Sequence, residues 1–180
     1  DTVNGVYIDN GGRIFDYKTS LTITDDINLS AKDMLLVSSD SSSLTIYGPG
    51  QKIILTPGVS NQIRIAAGVT LNLYGIEIAN FAPEAFQFNA GSALIVYDGI
   101  FSFTQDTATV GHEIIFTGDS YIKGSGGSIK FGEGGQFTVG SGYSLTIQNV
   151  VLDEFAREPL VCADSGTTLT LQDCVIRTAY

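Results

Sequence analysis

The sequence predicts an all-β fold, a parallel β-solenoid of about seven rungs with three short strands in each. The first observation is a recurring apolar-x-apolar triplet: Leu21-Thr22-Ile23, Leu44-Thr45-Ile46, Leu71-Asn72-Leu73, Leu94-Ile95-Val96, Leu145-Thr146-Ile147 and Leu169-Thr170-Leu171. The starts are 23, 27, 23, 51 and 24 residues apart, and the gap of 51 reads as two periods with a drifted copy near Tyr121-Ile122-Lys123. The second is a longer phrase, LTIQNVVL at 145–152, which returns as LTLQDCVI at 169–176. Self-similarity at a period in the range of ~20–50 residues marks a repeat architecture. The third is composition, since 21 Gly, one Met and no Trp suit strands joined by turns better than helices.

The elements follow in chain order. VYI at 6–8 and RIF at 13–15 read as the second and third strands of a partial rung, or as a cap, within residues 1–19; repeats of about 23–27 residues then fill 20–176. The second rung reads LTI at 44–46, IIL at 53–55 and IRI at 63–65, and the third LNL at 71–73, IEI at 76–78 and FQF at 86–88. The fourth reads LIV at 94–96, IFSF at 100–103 and EIIF at 113–116; the sixth reads LTI at 145–147, VVL at 150–152 and LVC at 160–162. A seventh starts with LTL at 169–171 as its first strand and CVI at 174–176 as its second, with no third. Alternation sends the outer two side chains of each triplet into a shared lumen and the middle one outward. Parallel stacking at ~4.8 Å then buries each rung's apolar row against the next. Pro49, Pro57, Pro83 and Pro159 all fall between the strands, where a missing N–H harms no ladder. The Gly-rich stretch 124–142 lacks the Lys-Ser or Lys-Thr of a phosphate loop and the Asp spacing of calcium-binding nonapeptides, and reads as tight corners in the least regular rung.

Length and charge narrow the function. A chain of 180 residues with 43% hydrophobic content suffices for one domain, 1–180, with a sizeable core. No stretch approaches the ~18 apolar residues of a membrane span. A net charge of −10 opposes binding to nucleic acid or an anionic membrane, and the acids are spread along the chain as on a solubilising surface. The chain starts at Asp1 without initiator Met or apolar leader, so either a signal peptide has been removed or the chain is trimmed. The first alternative leads to an expected extracellular or cell-surface location.

The three-strand rung resembles the right-handed parallel β-helix of the pectate-lyase-like superfamily, which includes polysaccharide lyases, phage tailspikes and bacterial surface passengers. The likeness spans about 20–176 and implies the fold, while the superfamily hosts enzymes, adhesins and structural proteins alike. Polygalacturonase-like members carry Asn-Thr-Asp, Asp-Asp, Gly-His-Gly and Arg-Ile-Lys motifs on consecutive rungs. Here Asp25-Asp26 stands over three rungs from Gly111-His112-Glu113, and the first and last motifs are missing. Carboxylates that hydrolyse glycosides lie ~5–9.5 Å apart, which argues against that chemistry. A lyase-like calcium cluster with a basic residue has its nearest match in Asp153, Glu154, Arg157 and Glu158, which reads as an exposed corner with local ion pairs. His112, the single histidine, reads as a loop residue of no special role. No catalytic, cofactor-binding or metal-ligating residue is therefore assigned, and the chain is expected not to be an enzyme.

Outward positions carry the remaining candidates. Thr22, Thr45, Thr146 and Thr170, with Asn72 and Ile95 between, form one expected column; a single Thr rank falls short of an ice-binding face and suits β-propensity instead. Tyr47, Tyr74 and Tyr97 stack on three rungs, followed by Gln148 and Gln172, as a candidate lateral or sugar contact or as an aromatic ladder steadying its own corner. Ile54, Val151, Val175 and Val161 leave outward apolar patches for neighbours. Cys162 and Cys174 fall at inward positions of neighbouring rungs on different strands, and two buried free thiols are preferred over a disulfide. The ends complete the picture, because an uncapped rung exposes apolar lumen and unpaired backbone. Val6, Tyr7, Ile8, Ile14 and Phe15 at one end and Leu169, Leu171, Cys174 and Ile176 at the other form a candidate assembly interface. The expected function is a structural extracellular or surface protein that self-associates head to tail into a filament or layer. The alternatives are a carbohydrate-binding or carbohydrate-active β-helix module with a polysaccharide contact, or a fragment of an adhesin or autotransporter passenger.

Overall fold

Alternating apolar residues with short polar corners wind the chain into a parallel β-solenoid with three faces and, among the described residues, seven rungs. The structure is a computed structural model and describes residues 5–9, 13–17, 19–104, 107–153 and 159–178. Two strands precede the coil, β1 (Gly5–Asp9) and β2 (Arg13–Asp16). Rung one is β3 (Ser20–Thr22), β4 (Ile27–Asn28) and β5 (Met34–Ser38). Rung two is β6 (Ser43–Tyr47), β7 (Lys52–Ile54) and β8 (Ile63–Ile65); rung three is β9 (Thr70–Tyr74), β10 (Glu77–Ala79) and β11 (Phe86–Phe88). Rung four is β12 (Ala93–Tyr97), β13 (Ile100–Ser102) and β14 (Thr107–Val110), and rung five is β15 (Glu113–Thr117), β16 (Ser120–Lys123) and β17 (Ser128–Phe131). Rung six is β18 (Gln136–Val139), β19 (Ser144–Gln148) and β20 (Val151–Asp153), and rung seven is β21 (Leu160–Cys162), β22 (Thr168–Gln172) and β23 (Val175–Ile176).

Each rung's first strand stacks on the first strand below it, and each second strand likewise, giving two unbroken seven-stranded parallel faces. The third face is split. Strands β5, β8 and β11 form one sheet with β1 and β2, while β14, β17, β20 and β23 form another. The corner between second and third strands shortens along the coil. It holds five, eight and six residues in rungs one to three (29–33, 55–62, 80–85), then four, four, two and two in rungs four to seven (103–106, 124–127, 149–150, 173–174). At the split β14 lies against the 3-10 turn Pro83–Ala85 and does not pair with β11. Gln62 steadies the longest corner from within: fully buried, it accepts from the Thr56 N–H at 2.8 Å through Oε1 and donates from Nε2 to the Ser30 carbonyl at 2.7 Å.

Apart from Gln62 and Ser120 the buried side chains among the described residues are apolar, with Leu44, Ile46, Ile53, Ile65, Phe116, Phe137, Leu145 and Leu152 all at 0% exposure. Rungs one to three are filled mainly by Leu, Ile and Val. From the corner of rung three onward Phe81, Phe101, Phe116 and Phe137 stack successively, Phe81 on Phe101 at 4.2 Å and 22°, the others edge to face at 5.7 and 5.5 Å. Such aromatic pairs add to the stabilisation from area burial.

Several expected elements move. LTI at 145–147 lies on the second face, stacked on 120–123, whereas LTI at 44–46 lies on the first. The gap of 51 is thus two rungs plus a step to the next face. The phrase at 145–152 and 169–176 recurs because it carries a second-face strand, a left-handed corner at Asn149 and Asp173 (φ 53° for each) and a third-face strand, with Leu145 directly under Leu169 and Val151 under Val175. EIIF at 113–116 belongs to the first face of rung five, stacked on β12, and the third strand of rung four is β14. LVC at 160–162 likewise opens rung seven on the first face. Rung seven therefore has all three strands, with LTL as its second and Val175-Ile176 as its third. At the other end β1 and β2 pair antiparallel with each other, and β1 pairs antiparallel with β5. They form a hairpin that extends the third face and are not strands of a partial rung, because parallel stacking needs a full turn of coil between partners. The Gly-rich stretch forms two regular strands, β17 and β18, in register with their neighbours.

Candidate functional site

The two ends of the coil differ. At the N-terminal end Val6 and Ile8 are buried at 0% and 7% exposure, and the lumen residues of rung one, Leu21, Ile27 and Leu35, are at 2% or less. Phe15 and Tyr17 pack on this core, and Tyr7 is half-buried. The side chain of Ile14 lies outside the described residues. The hairpin thus covers the chain's own lumen. At the C-terminal end Leu169 and Cys174 are half-buried, and Leu171 and Ile176 are 37% and 50% exposed, whereas Ile147 and Leu152 directly beneath are at 0%. Cys162, on the first face, and Cys174, in the corner between the second and third strands, belong to this same rung, not to neighbouring rungs, and both thiols are free. Cys162 is exposed where a buried filler was expected, because nothing among the described residues stacks above it.

The tyrosine column forms at the end of the first face. Tyr47, Tyr74 and Tyr97 occupy matching positions of β6, β9 and β12, with ring centres 4.9 Å apart in the first pair and 4.0 Å in the second. The faces of these rings meet one another, so the ladder offers chiefly edges and hydroxyls to a ligand. Burial pushes the Tyr74 hydroxyl above its ordinary pKa, and the charge and hydrogen bond of Tyr97 push it the same way. Thr22 stands at the foot of this column, paired with Tyr47, and Thr117 follows Tyr97. Gln148 and Gln172 stack on the second face instead, 2.7 Å apart through their amides. The expected threonine column is also divided: Thr45 leads to Asn72 and Ile95 on the first face, while Thr146 and Thr170 stand above Tyr121 on the second. Ile54, Val161 and the pair Val151 and Val175 occupy three different faces and form no single patch.

The polar groups weighed for catalysis stay apart. Asp26 accepts from the Lys52 backbone N–H at 2.8 Å in rung one's corner, and Glu113 accepts from Thr138 Oγ1 at 2.5 Å at the foot of rung five. On the second face Glu77 pairs with Lys52 at 3.0 Å and accepts from Ser102 at 2.6 Å. Burial works against the Glu77 carboxylate, but these two partners prevail and hold its pKa below the ordinary value. Of the acidic loop, Glu154, Arg157 and Glu158 lie outside the described residues. Among the described residues no group of three His, Cys, Asp or Glu side chains is placed to hold a metal, and no helix is long and apolar enough to cross a membrane.

A cavity of about 300 Å³ opens where the third face is split. Its base is the buried Pro83, Phe86, Val110 and Ile114, and its rim includes the exposed Asn61 and His112. The ring of His112 lies on Phe88 with centres 4.6 Å apart and planes at 16°. Glu84, in the 3-10 turn Pro83–Ala85, lines the same cavity, and its Oε2 is buried without a hydrogen-bond partner among the described residues. Sequence reasoning missed this site. The available signal was an apolar corner, Asn80-Phe81-Ala82-Pro83-Glu84-Ala85, with a lone acid inside it.

The fold and these surfaces stand on their own geometry, for no protein-family model, curated protein or solved structure matches the chain.

Proposed function

We propose that this is a structural β-solenoid of the extracellular space or cell surface, closest in character to the non-catalytic surface members of the pectate-lyase-like superfamily, and that it self-associates end to end. The observation that carries the reading is the uncovered lumen of rung seven, where Leu171 and Ile176 are exposed while their counterparts one rung below are fully buried. Apolar area of this kind is stabilised by cover, at ~25 cal/mol per Å². In a head-to-tail arrangement β21 and β22 of one copy meet the rung-one end of the next, where β3 and β4 are the last strands of their faces among the described residues, with the hairpin flanking the junction on the third face. Such a contact does not close on itself and yields a filament or layer. Continuation of the same coil in a longer passenger or adhesin covers the rung equally well, and the test separates the two. The chain and its Leu171→Lys, Ile176→Lys double variant are compared by sedimentation and electron microscopy. Unbranched β-rich fibres from the parent and monomers from the variant support assembly. A parent that stays monomeric at high concentration removes the filament and leaves a surface-displayed coil segment. No glycan-degrading activity is expected of either protein.

A further inference from the structure

We propose that the cavity at the split in the third face binds a small organic cation, a primary ammonium or guanidinium group, with Glu84 as its counter-charge. Three observations converge. Glu84 lines the cavity, and its Oε2 is buried with no donor among the described residues. A carboxylate oxygen removed from water without a partner is costly, and such groups in folded proteins ordinarily have one. The walls are apolar and aromatic, with Phe86 in the base and the Phe88–His112 ring pair alongside, as in sites that enclose an alkyl chain next to one polar anchor. The molecule carries a net charge of −10, which raises the local concentration of cations at a concave site.

The same features select the class of cation. A divalent metal needs roughly four or more ligands, whereas the described lining offers one carboxylate and one imidazole, and no three metal-ligating side chains meet. The volume of about 300 Å³ is that of a site for a small molecule or a long side chain, not a bare ion. A neutral sugar hydroxyl can donate to Oε2 but leaves its charge uncompensated, whereas an ammonium or guanidinium does both. The methylenes of such a cation lie against Phe86 and Phe88 while its head reaches Glu84. This site is independent of the C-terminal rung, so it stands whether or not the chain assembles.

The test is a titration of the full chain, followed by heteronuclear NMR, with n-butylammonium and methylguanidinium as free cations, a short lysine- or arginine-bearing peptide as the tethered source, and n-butanol and glucose as neutral probes. Either cation is expected to shift the resonances of Glu84, Phe88 and His112 saturably, the neutral probes not. Tighter binding of the peptide assigns the ligand to a protein side chain; tighter binding of the free cation assigns it to a metabolite-sized amine. Glu84→Gln, which keeps shape and removes charge, is expected to weaken cation binding at least tenfold and, without ligand, to raise the melting temperature. Phe88→Leu, which keeps the apolar wall, is expected to weaken it less. No saturable shift with either cation, unchanged affinity in Glu84→Gln, or equal binding of glucose overturns the proposal.

Discussion

Tyr97 lies flat on Tyr74, with ring centres 4.0 Å apart and planes within 4° of each other. The Tyr74 hydroxyl ionises above its ordinary value. A raised pKa favours the protonated ring in the folded state, so its contribution to stability is full below the unfolded tyrosine value of ~10 and is lost as pH rises through the folded one. Tyrosinate absorbance during an alkaline titration is expected to show a late step that disappears in Tyr74→Phe, together with falling stability over the same interval.

Gln62 is the buried polar side chain that ties rung two to rung one through Thr56 and Ser30. Gln62→Leu keeps the volume but deprives a backbone N–H and a carbonyl of their partner, a loss of roughly 1–3 kcal/mol. Urea denaturation is expected to show a lowered midpoint with an unchanged slope. Gln62→Glu is expected to be worse at neutral pH, since it places a charge where exposure is 0%.

Leu152 and Ile176 are stacked partners with opposite surroundings, the first buried and the second half exposed. Leu152→Ala opens a cavity in a closed lumen and is expected to cost about 2–5 kcal/mol. Ile176→Ala in the monomer removes area that water already reaches and is expected to cost less than about half as much. If Ile176→Ala proves as damaging as Leu152→Ala at high protein concentration but not in dilute solution, the terminal rung is covered by a second copy.

The hairpin seals rung one. Deleting residues 1–17 uncovers Leu35 and Val37 along the edge of β5, both at 1% exposure or less. The truncated chain is expected to melt earlier and to associate more than the parent, read by light scattering. A truncated chain as soluble and as stable as the parent would remove the capping role.

Much of the coil was legible because each rung writes its own alternation. Leu44-Thr45-Ile46, Ile53-Ile54-Leu55 and Ile63-Arg64-Ile65 are placed as three faces of one rung. What the pattern does not carry is which face a triplet belongs to: Leu145-Thr146-Ile147 and Leu44-Thr45-Ile46 have the same inward side chains on different faces. Pairing direction is equally silent in the alternation of Val6-Tyr7-Ile8, which suits an antiparallel hairpin as well as a parallel rung. The cavity at Glu84 was hidden for a related reason, since it lies where β11 and β14 do not pair and corresponds to no motif.

The split in the third face is also a mechanical fact. Along most of the coil a pull on the two ends is shared by three hydrogen-bonded ladders, but between Phe88 and Thr107 it is shared by two, β9 with β12 and β10 with β13. A pull that two ladders share is expected to part them at a lower force than a pull that three share. Rungs one to three and rungs four to seven are thus joined by ladders on two sides and, among the described residues, by side-chain packing in place of a ladder on the third.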